Sequence, residues 1–370
     1  MKATVSKNLM VSALGTLNKA FAKYRSSLPV LMHVNIQVGA EGFTLTRTDL
    51  DMTVIVKCPA TVQDDWRGDF CVPAQKMEQV IASMPGDTVE VEVERFTVRL
   101  RSEKYYVEMR VLLGCEFPAT SASVMDGIRF QVASDVLNQS LSRVSPAVGS
   151  GEMIYGKDGL WFSFRGSRLN LYATDSRRCH AEHNVLQSLD AENCDMLIRE
   201  DRVKAFQSAL TLASGDVELI VSESHIVLRT SDVTVVSKCG GISMPGFVRI
   251  LAPGNVTASM FVDPAALAAA LKRVMLIASA ERPKVKLAVV RGNNYFSLTC
   301  ENVNVGDAIE RVPIKEWQGN DLHTILNAEY LLDAVRVVDK LKLVKIDFND
   351  QEPVHISADD YRAVIVGIRQ

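Results

Sequence analysis

Apolar residues along this chain change their period in a recurring order. In "ATVSKNLMVSALGTLNKAF", from Ala3, an alternation at every second position gives way to apolar residues at helical spacing. "RFQVASDVLNQSLSRVSPAV" from Arg129 and "SMFVDPAALAAALKRVMLIA" from Ser259 repeat this, with Ser6, Ser134 and Asp263 as capping-type residues at the switch. The three segments lie about 126 and 130 residues apart, close to the size of one domain. Between them falls a second helical family: "CVPAQKMEQVIASM" from Cys71, "LIREDRVKAFQSAL" from Leu197 and "ILNAEYLLDAVRVV" from Ile325. Each is followed by paired alternating strands, and the hairpins between the families correspond too, in "NIQVGAEGFTLTRTD", "MIYGKDGLWFSFRGSRLNLYATD" and "VKLAVVRGNNYFSLTCEN".

The pattern predicts an α+β protein of six strand, helix and hairpin units, grouped as three similar domains of two units each. Loop-like stretches at "SASVMDG" (121–127) and "LAPGNVTA" (251–258) place the domains at 1–124, 125–254 and 255–370. Repetition of this kind builds an extended or closed surface from equivalent elements.

Composition narrows the classes. With 47% hydrophobic and 23% charged residues over 370 positions, the chain reads as globular. The N-terminal apolar run is short and interrupted, poor for a signal peptide. The longest apolar stretch is cut by Lys272 and Arg273, so it reads as an amphipathic helix and no membrane partner is expected. Seven scattered cysteines without a CxxC spacing point to reduced thiols and a cytoplasmic protein.

A net charge of −3 excludes a uniformly basic nucleic-acid binder, so any DNA contact needs its positive charge on one surface. Lys7, Lys19, Lys23 and Arg25 stand on or just after the first helix without an acid among them. Arg143, Arg199, Arg202 and Lys204 belong to the middle domain, and Lys272, Arg273, Arg282 and Lys284 face a single Glu281 in the third. For one helix, a solvated face is the plainer reading. Repeated on corresponding helices of an acidic protein, the charges read instead as a positive track for a phosphate backbone, without base readout.

Catalytic readings find little support. "CHAEH" (179–183) offers a thiol and two imidazoles, but strand alternation puts Cys179 and His183 on one face and His180 on the other. Thr48-Asp49 recurs as Thr174-Asp175 at the repeat spacing, which suits turn capping better than chemistry. No GxSxG, GxxxxGK[ST], HExxH or GxGxxG pattern occurs. No catalytic residue, metal or cofactor is therefore expected. The competing enzyme reading, a metal-dependent nucleic-acid-modifying activity, would rest on Asp49 and Asp51 or on Asp175.

The stretches "YRSSLPVLMHVNIQV", "GFTLTRTDLDMTV", "CEFPA", "LNLYATDSRR", "VSKCGGISMPGFVRIL" and "YRAVIVGIRQ" give the chain a family. In order and spacing it resembles the bacterial sliding clamps, the beta subunits of DNA polymerase III, over its whole length. The resemblance implies the DNA clamp fold, with a head-to-tail homodimer closing into a ring, helices inside and sheets outside. It implies a nucleoid-associated processivity factor that encircles double-stranded DNA without sequence preference. Its partners would be the polymerase III catalytic subunit, the clamp loader and other proteins with a short clamp-binding peptide. An open-chain peptide scaffold that never encircles DNA is the other non-enzymatic reading.

Carried over residue by residue, the family's DNA-contacting positions fall on Lys23, Arg25, Arg199, Arg202 and Lys204. The dimer contact falls on Val107 and Met109 against Leu276 and Ile277. The peptide pocket falls on Thr174, Ser176, Arg177, Arg178 and Cys179, with Pro245, Arg249 and Ile250, and with Pro353, Val364, Val366 and Ile368. Where the family reads Thr-Asp-Gly-His-Arg-Leu, this chain has Thr-Asp-Ser-Arg-Arg-Cys. Gly367 replaces a common proline, Gln370 a common final leucine, and a further pocket leucine falls near Tyr155 to Lys157. These departures imply a shallower pocket that favours a more acidic peptide.

Overall fold

The computed structural model describes residues 2–22, 24–63, 66–120, 126–149, 159–166, 168–187, 193–213, 215–239, 244–279, 281, 283–349 and 353–368. Among them the expected helices form in the expected order: α1 (Lys7–Ala20), α2 (Ala74–Ser83), α3 (Ser134–Val144), α4 (Glu200–Leu210), α5 (Pro264–Val274) and α6 (Ala328–Arg336). Each follows a strand directly or, at α5, after the single residue Asp263. At α5, Pro264 opens the first turn and the Asp263 carboxylate accepts from the Ala265 and Ala266 amides. Asn327 caps α6 in the same way through Glu329 and Tyr330. Ser6 was expected to cap α1 but makes no side-chain cap bond; it ends the strand Lys2–Ser6, where it pairs with Thr88. Ser134 is already the first residue of α3, its amide donating to the Gly215 carbonyl. Leu267, Leu271 and Val274 form the buried stripe of α5, at three- and four-residue spacing. Each is worth about 1.5–3 kcal/mol relative to exposure.

The chain divides into two compact units. Unit 1 holds Met1–Asn138 and Ile198–Gly241; unit 2 holds Gln139–Leu197 and Ile242–Gln370. These units cut across the three repeats because the middle repeat lends its strands to both neighbours. In unit 1, Val233–Lys238 pairs antiparallel with Met52–Val62, setting Val236 opposite Thr53. In unit 2, Tyr361–Ile365 pairs with Arg178–Gln187, setting Val364 opposite Cys179.

The repeat holds to the single bond at the Thr-Asp turns. Thr48 Oγ1 donates to the Met52 carbonyl and accepts from the Leu50 amide, while Asp49 Oδ1 accepts from the Asp51 and Met52 amides. Thr174 and Asp175 make the same four bonds with Arg178, Ser176 and Arg177. Leu50 and Ser176 share a left-handed backbone, with φ of 77° and 75°. Both pairs are turn chemistry, as their spacing implied.

Among the strands that end sheets, two stand out. In unit 1 Tyr105–Arg110 closes one end of the main strand path, and in unit 2 Gly306–Pro313 closes the four-stranded sheet. Val107 and Met109 stand opposite the buried Leu100 and Val98, yet remain half-buried.

Candidate functional site

The turn at Thr174–Cys179 borders an unusual sheet face in unit 2. A strand with one wet face alternates in burial, but Gly159–Phe164 and Leu169–Thr174 are buried at every position. The cause lies in the segment Met244–Leu251, which covers the outer face. Trp161, Tyr172, Cys179, Ala181, Leu197, Leu251 and Val364 form a distinct apolar cluster there, with Met244, Phe247 and Val248 packed against it. The bed is continuous because Tyr172 stands opposite both Trp161 and Ala181, and Cys179 opposite Val364. Burial pushes the Cys179 thiol and the Tyr172 phenol up to about 12 each, so neither ionises near neutrality.

Around this bed the expected pocket residues separate into three roles. Cys179 and Val364 are floor, both fully buried. Thr174 and Arg178 are framework. The Thr174 hydroxyl is spent on the turn, and the Arg178 guanidinium is held by Asp175 at 3.0 Å and Asp333 at 2.7 Å, over the Tyr330 ring at 4.2 Å. Ser176, Arg177, Arg249, Ile250 and Val366 are exposed rim, and Pro245, Pro353 and Ile368 are half-buried beside it. The Val366 amide donates to the Arg177 carbonyl, which fixes the chain end against the turn. Neither Arg177 nor Arg249 has a side-chain partner among the described residues, so the rim offers two uncommitted cations. Tyr155 to Lys157 lie outside the described residues, as does Gln370.

The opposite face of the same strand carries a sealed polar network. Arg143 pairs with Glu182 at 2.6 Å, and His180 Nδ1 lies 3.1 Å from the Arg143 carbonyl and from the Tyr361 hydroxyl. A carbonyl only accepts, so the ring proton sits on Nδ1. Burial holds the His180 pKa at about 3 and raises that of Glu182, despite its arginine partner. Cys179 and His180 therefore belong to opposite faces, and His183 meets Tyr172 edge-on at 5.6 Å on the Cys179 side. Among the described residues no group of His, Cys, Asp or Glu could hold a metal ion. Asp49 and Asp175 are committed to turns and arginines.

The residues expected to contact DNA differ in exposure. Arg202 is 7% exposed and ion-paired with the buried Asp49, and Asp201 lies 3.6 Å from its Nε. It ties α4 to the first Thr-Asp turn of unit 1, and its burial turns it away from an exposed phosphate-binding role. Arg143 is likewise buried on Glu182. Arg199 and Lys204 are exposed beside Asp201 and Glu200. Arg25 is exposed, its guanidinium donating to the Ala22 and Tyr24 carbonyls. Lys23 lies outside the described residues. Of the dimer residues, Leu276 is 81% exposed and Ile277 half-buried, with its carbonyl accepting from Asn302.

Sequence reasoning missed Trp161, Tyr172, Leu251 and Tyr330. The run "GLWFSFR" carried a signal, since apolar side chains at both parities mark a strand covered on two faces. Tyr330 had none, because its role depends on Arg178 reaching it from 152 positions away in the chain.

Comparison with known proteins matches this architecture. Residues 1–121 match the family profile of the DNA polymerase III beta subunit N-terminal domain, and residues 249–366 match that of its C-terminal domain. Together they span more than half of the chain. The beta sliding clamp of Pseudomonas aeruginosa is 24% identical, over 99% of this chain and 99% of its own length. That of Bacillus subtilis is 20% identical over 92% of this chain and 91% of its own. Among solved structures, the P. aeruginosa DNA polymerase III subunit beta superposes with a TM-score of 0.89 at 22% identity, covering 100% of both chains. The B. subtilis DNA polymerase sliding clamp gives 0.90 at 20% identity, covering 100% of this chain and 99% of that one. The fold is thus the clamp fold, and the chain belongs to the DNA polymerase III beta subunit family, the beta sliding clamps, whose part in replication is not enzymatic.

Proposed function

We propose that two copies of this chain close head to tail into a ring around duplex DNA, in the cytoplasm and on the nucleoid. Three domains per copy, near 1–124, 125–254 and 255–370, would present their helices to the DNA. The reading rests on family membership and on one observation above others: two of the open sheet edges are flanked by apolar residues that stay partly or fully exposed. The edge Tyr105–Arg110 carries half-buried Val107 and Met109; the edge Gly306–Pro313 lies beside Leu276 and Ile277. An open edge is a template for pairing, and a heterologous contact that closes gives a ring. Arg25, Arg199 and Lys204 are the DNA-facing candidates that remain, with Lys23. Loose, sequence-independent attraction is what a sliding ring requires.

The exposed rim beside the covered apolar bed, with Arg177, Arg249, Ile250 and Val366, is the docking site for short peptides of the polymerase, the clamp loader and other partners. Two or three anchors at about 1.5–3 kcal/mol each supply roughly 3–9 kcal/mol before ordering costs, so a micromolar affinity, about 8 kcal/mol, also needs backbone and rim contacts. A Leu276→Lys/Ile277→Lys double variant should remain folded by circular dichroism and run as a monomer in light scattering. A persistent dimer would remove this interface and with it the ring as drawn.

A further inference from the structure

The first repeat contains the counterpart of the peptide bed, and there the bed is missing. Trp161, Tyr172 and Ala181 sit opposite one another across three strands of unit 2. The corresponding rungs in unit 1 are Asn35, Thr46 and Ile55. A covering segment is present in both repeats, Met244–Leu251 in one and Phe117–Thr120 in the other, with Pro245 and Pro118 at matching places. An indole and a phenol fill the space in the second repeat. An amide and a hydroxyl leave it open in the first, as a cleft of ≈ 320 Å³ under Phe117 and Pro118. That volume is at the small end for ligand sites, about right for one long side chain and its flanking backbone.

The chemistry of the cleft differs as well. In unit 2, Asp195 accepts from Ser163 at 2.8 Å and is paired with Arg165 at 2.7 Å. Its counterpart in unit 1 is Asp69, opposite Gln37. Asp69 is exposed, lines the cleft and has no partner among the described residues. The fold leaves room for it there, because the carboxylate occupies the place a Cβ on Gly114 would take, which only glycine leaves vacant. Around it stand Asn35, Gln37, Thr44 and Thr46, side chains able to accept, with the Phe117 ring as one wall.

We propose that this cleft is a second docking site, which takes a peptide segment through one arginine side chain. A guanidinium has five donors in a planar fork, matching one carboxylate plus several neutral acceptors, and it stacks on aromatic rings. A lysine ammonium would satisfy Asp69 but leave the spread of amide and hydroxyl oxygens unused. The two sites would then select opposite partners: acidic and apolar at the rim of unit 2, basic at the cleft of unit 1.

Amide chemical shifts of the full-length protein, titrated with N-acetyl-arginine N-methylamide, test this. The citrulline analogue has the same shape without the charge. The arginine probe should give saturable shifts at Thr46, Asp69 and Phe117, with the citrulline probe weaker by roughly ten-fold, as for loss of a charge-assisted hydrogen bond. Asp69→Asn, a conservative change at an exposed site, should bring arginine down to the citrulline level. Absence of saturable shifts, equal binding of the two probes, or unchanged arginine binding in Asp69→Asn would each overturn the assignment.

Discussion

Replacing Arg202 by glutamine separates two roles that the sequence alone could not. On α4, between the exposed Arg199 and Lys204, it reads as one more cation for DNA. In the folded chain its side chain is 8% exposed and paired with an Asp49 side chain that is 4% exposed. Removing one member of such a pair leaves the other charge buried, which costs about 3–5 kcal/mol. In a unit of this size each kcal/mol lowers the melting point by about 2–4 °C, so the unit 1 transition should fall by roughly 6–20 °C. Calorimetry on Arg202→Gln, Arg25→Ala and the wild type measures it, with DNA retention assayed well below the transition. The Asp49→Asn/Arg202→Gln double variant should lose less than the sum of the single losses, because neither buried charge is then unpaired. If Arg202→Gln melts with the wild type and yet retains DNA as poorly as Arg25→Ala, Arg202 is a DNA contact and its assignment to the framework fails.

Three further outcomes follow from the same geometry. His180 is neutral in both folded and unfolded chains above pH 6.5; below it only the unfolded chain takes the proton, so stability of unit 2 falls by about 1.4 kcal/mol per pH unit toward the folded value of about 3. Glu182, raised by burial, works in the opposite direction in acid, so the readout is wild type minus His180→Gln in urea titrations from pH 7 to 5; equal slopes would count against a neutral buried imidazole. Arg177→Ala should weaken an acidic clamp-binding peptide about two- to five-fold, the worth of an exposed ion pair, and leave a neutral one unchanged; equal effects on both peptides remove the charge argument. Lys23→Ala/Arg25→Ala should lower DNA retention and reduce its salt slope by about 2 without altering the melting point; an unchanged salt response would clear both residues of a DNA role.

How far the sequence reached depended on which physical scale decided each feature. Period and repeat spacing located the six α-helices of the described residues, because burial of an amphipathic face writes itself into consecutive residues. The Thr-Asp turns were legible for a similar reason: their bonds join residues two to four apart. Caps were less so. Ser6 has the right chemistry, but the sheet claims it first. Arg202 shows where local reading ends, since successive residues on a helix turn by about 100°. Three positions from Arg199 and two from Lys204 is enough to face inward, and only the arrival of Asp49 from another repeat reveals it. Family resemblance grouped Cys179 with Val364, and the sheet does set them opposite each other. The bed around them, with Trp161 and Leu251, depends on a segment folded over the sheet from about eighty positions away.

The central claim is topological, and topology can be measured directly. The protein is loaded onto nicked circular DNA, the free protein is removed, and the circle is cut once with a restriction enzyme. A closed ring of two chains stays on the circle through a salt wash and slides off the ends after linearisation. Retention that survives linearisation would mean that the chain grips DNA by contact, and the ring would have to be abandoned.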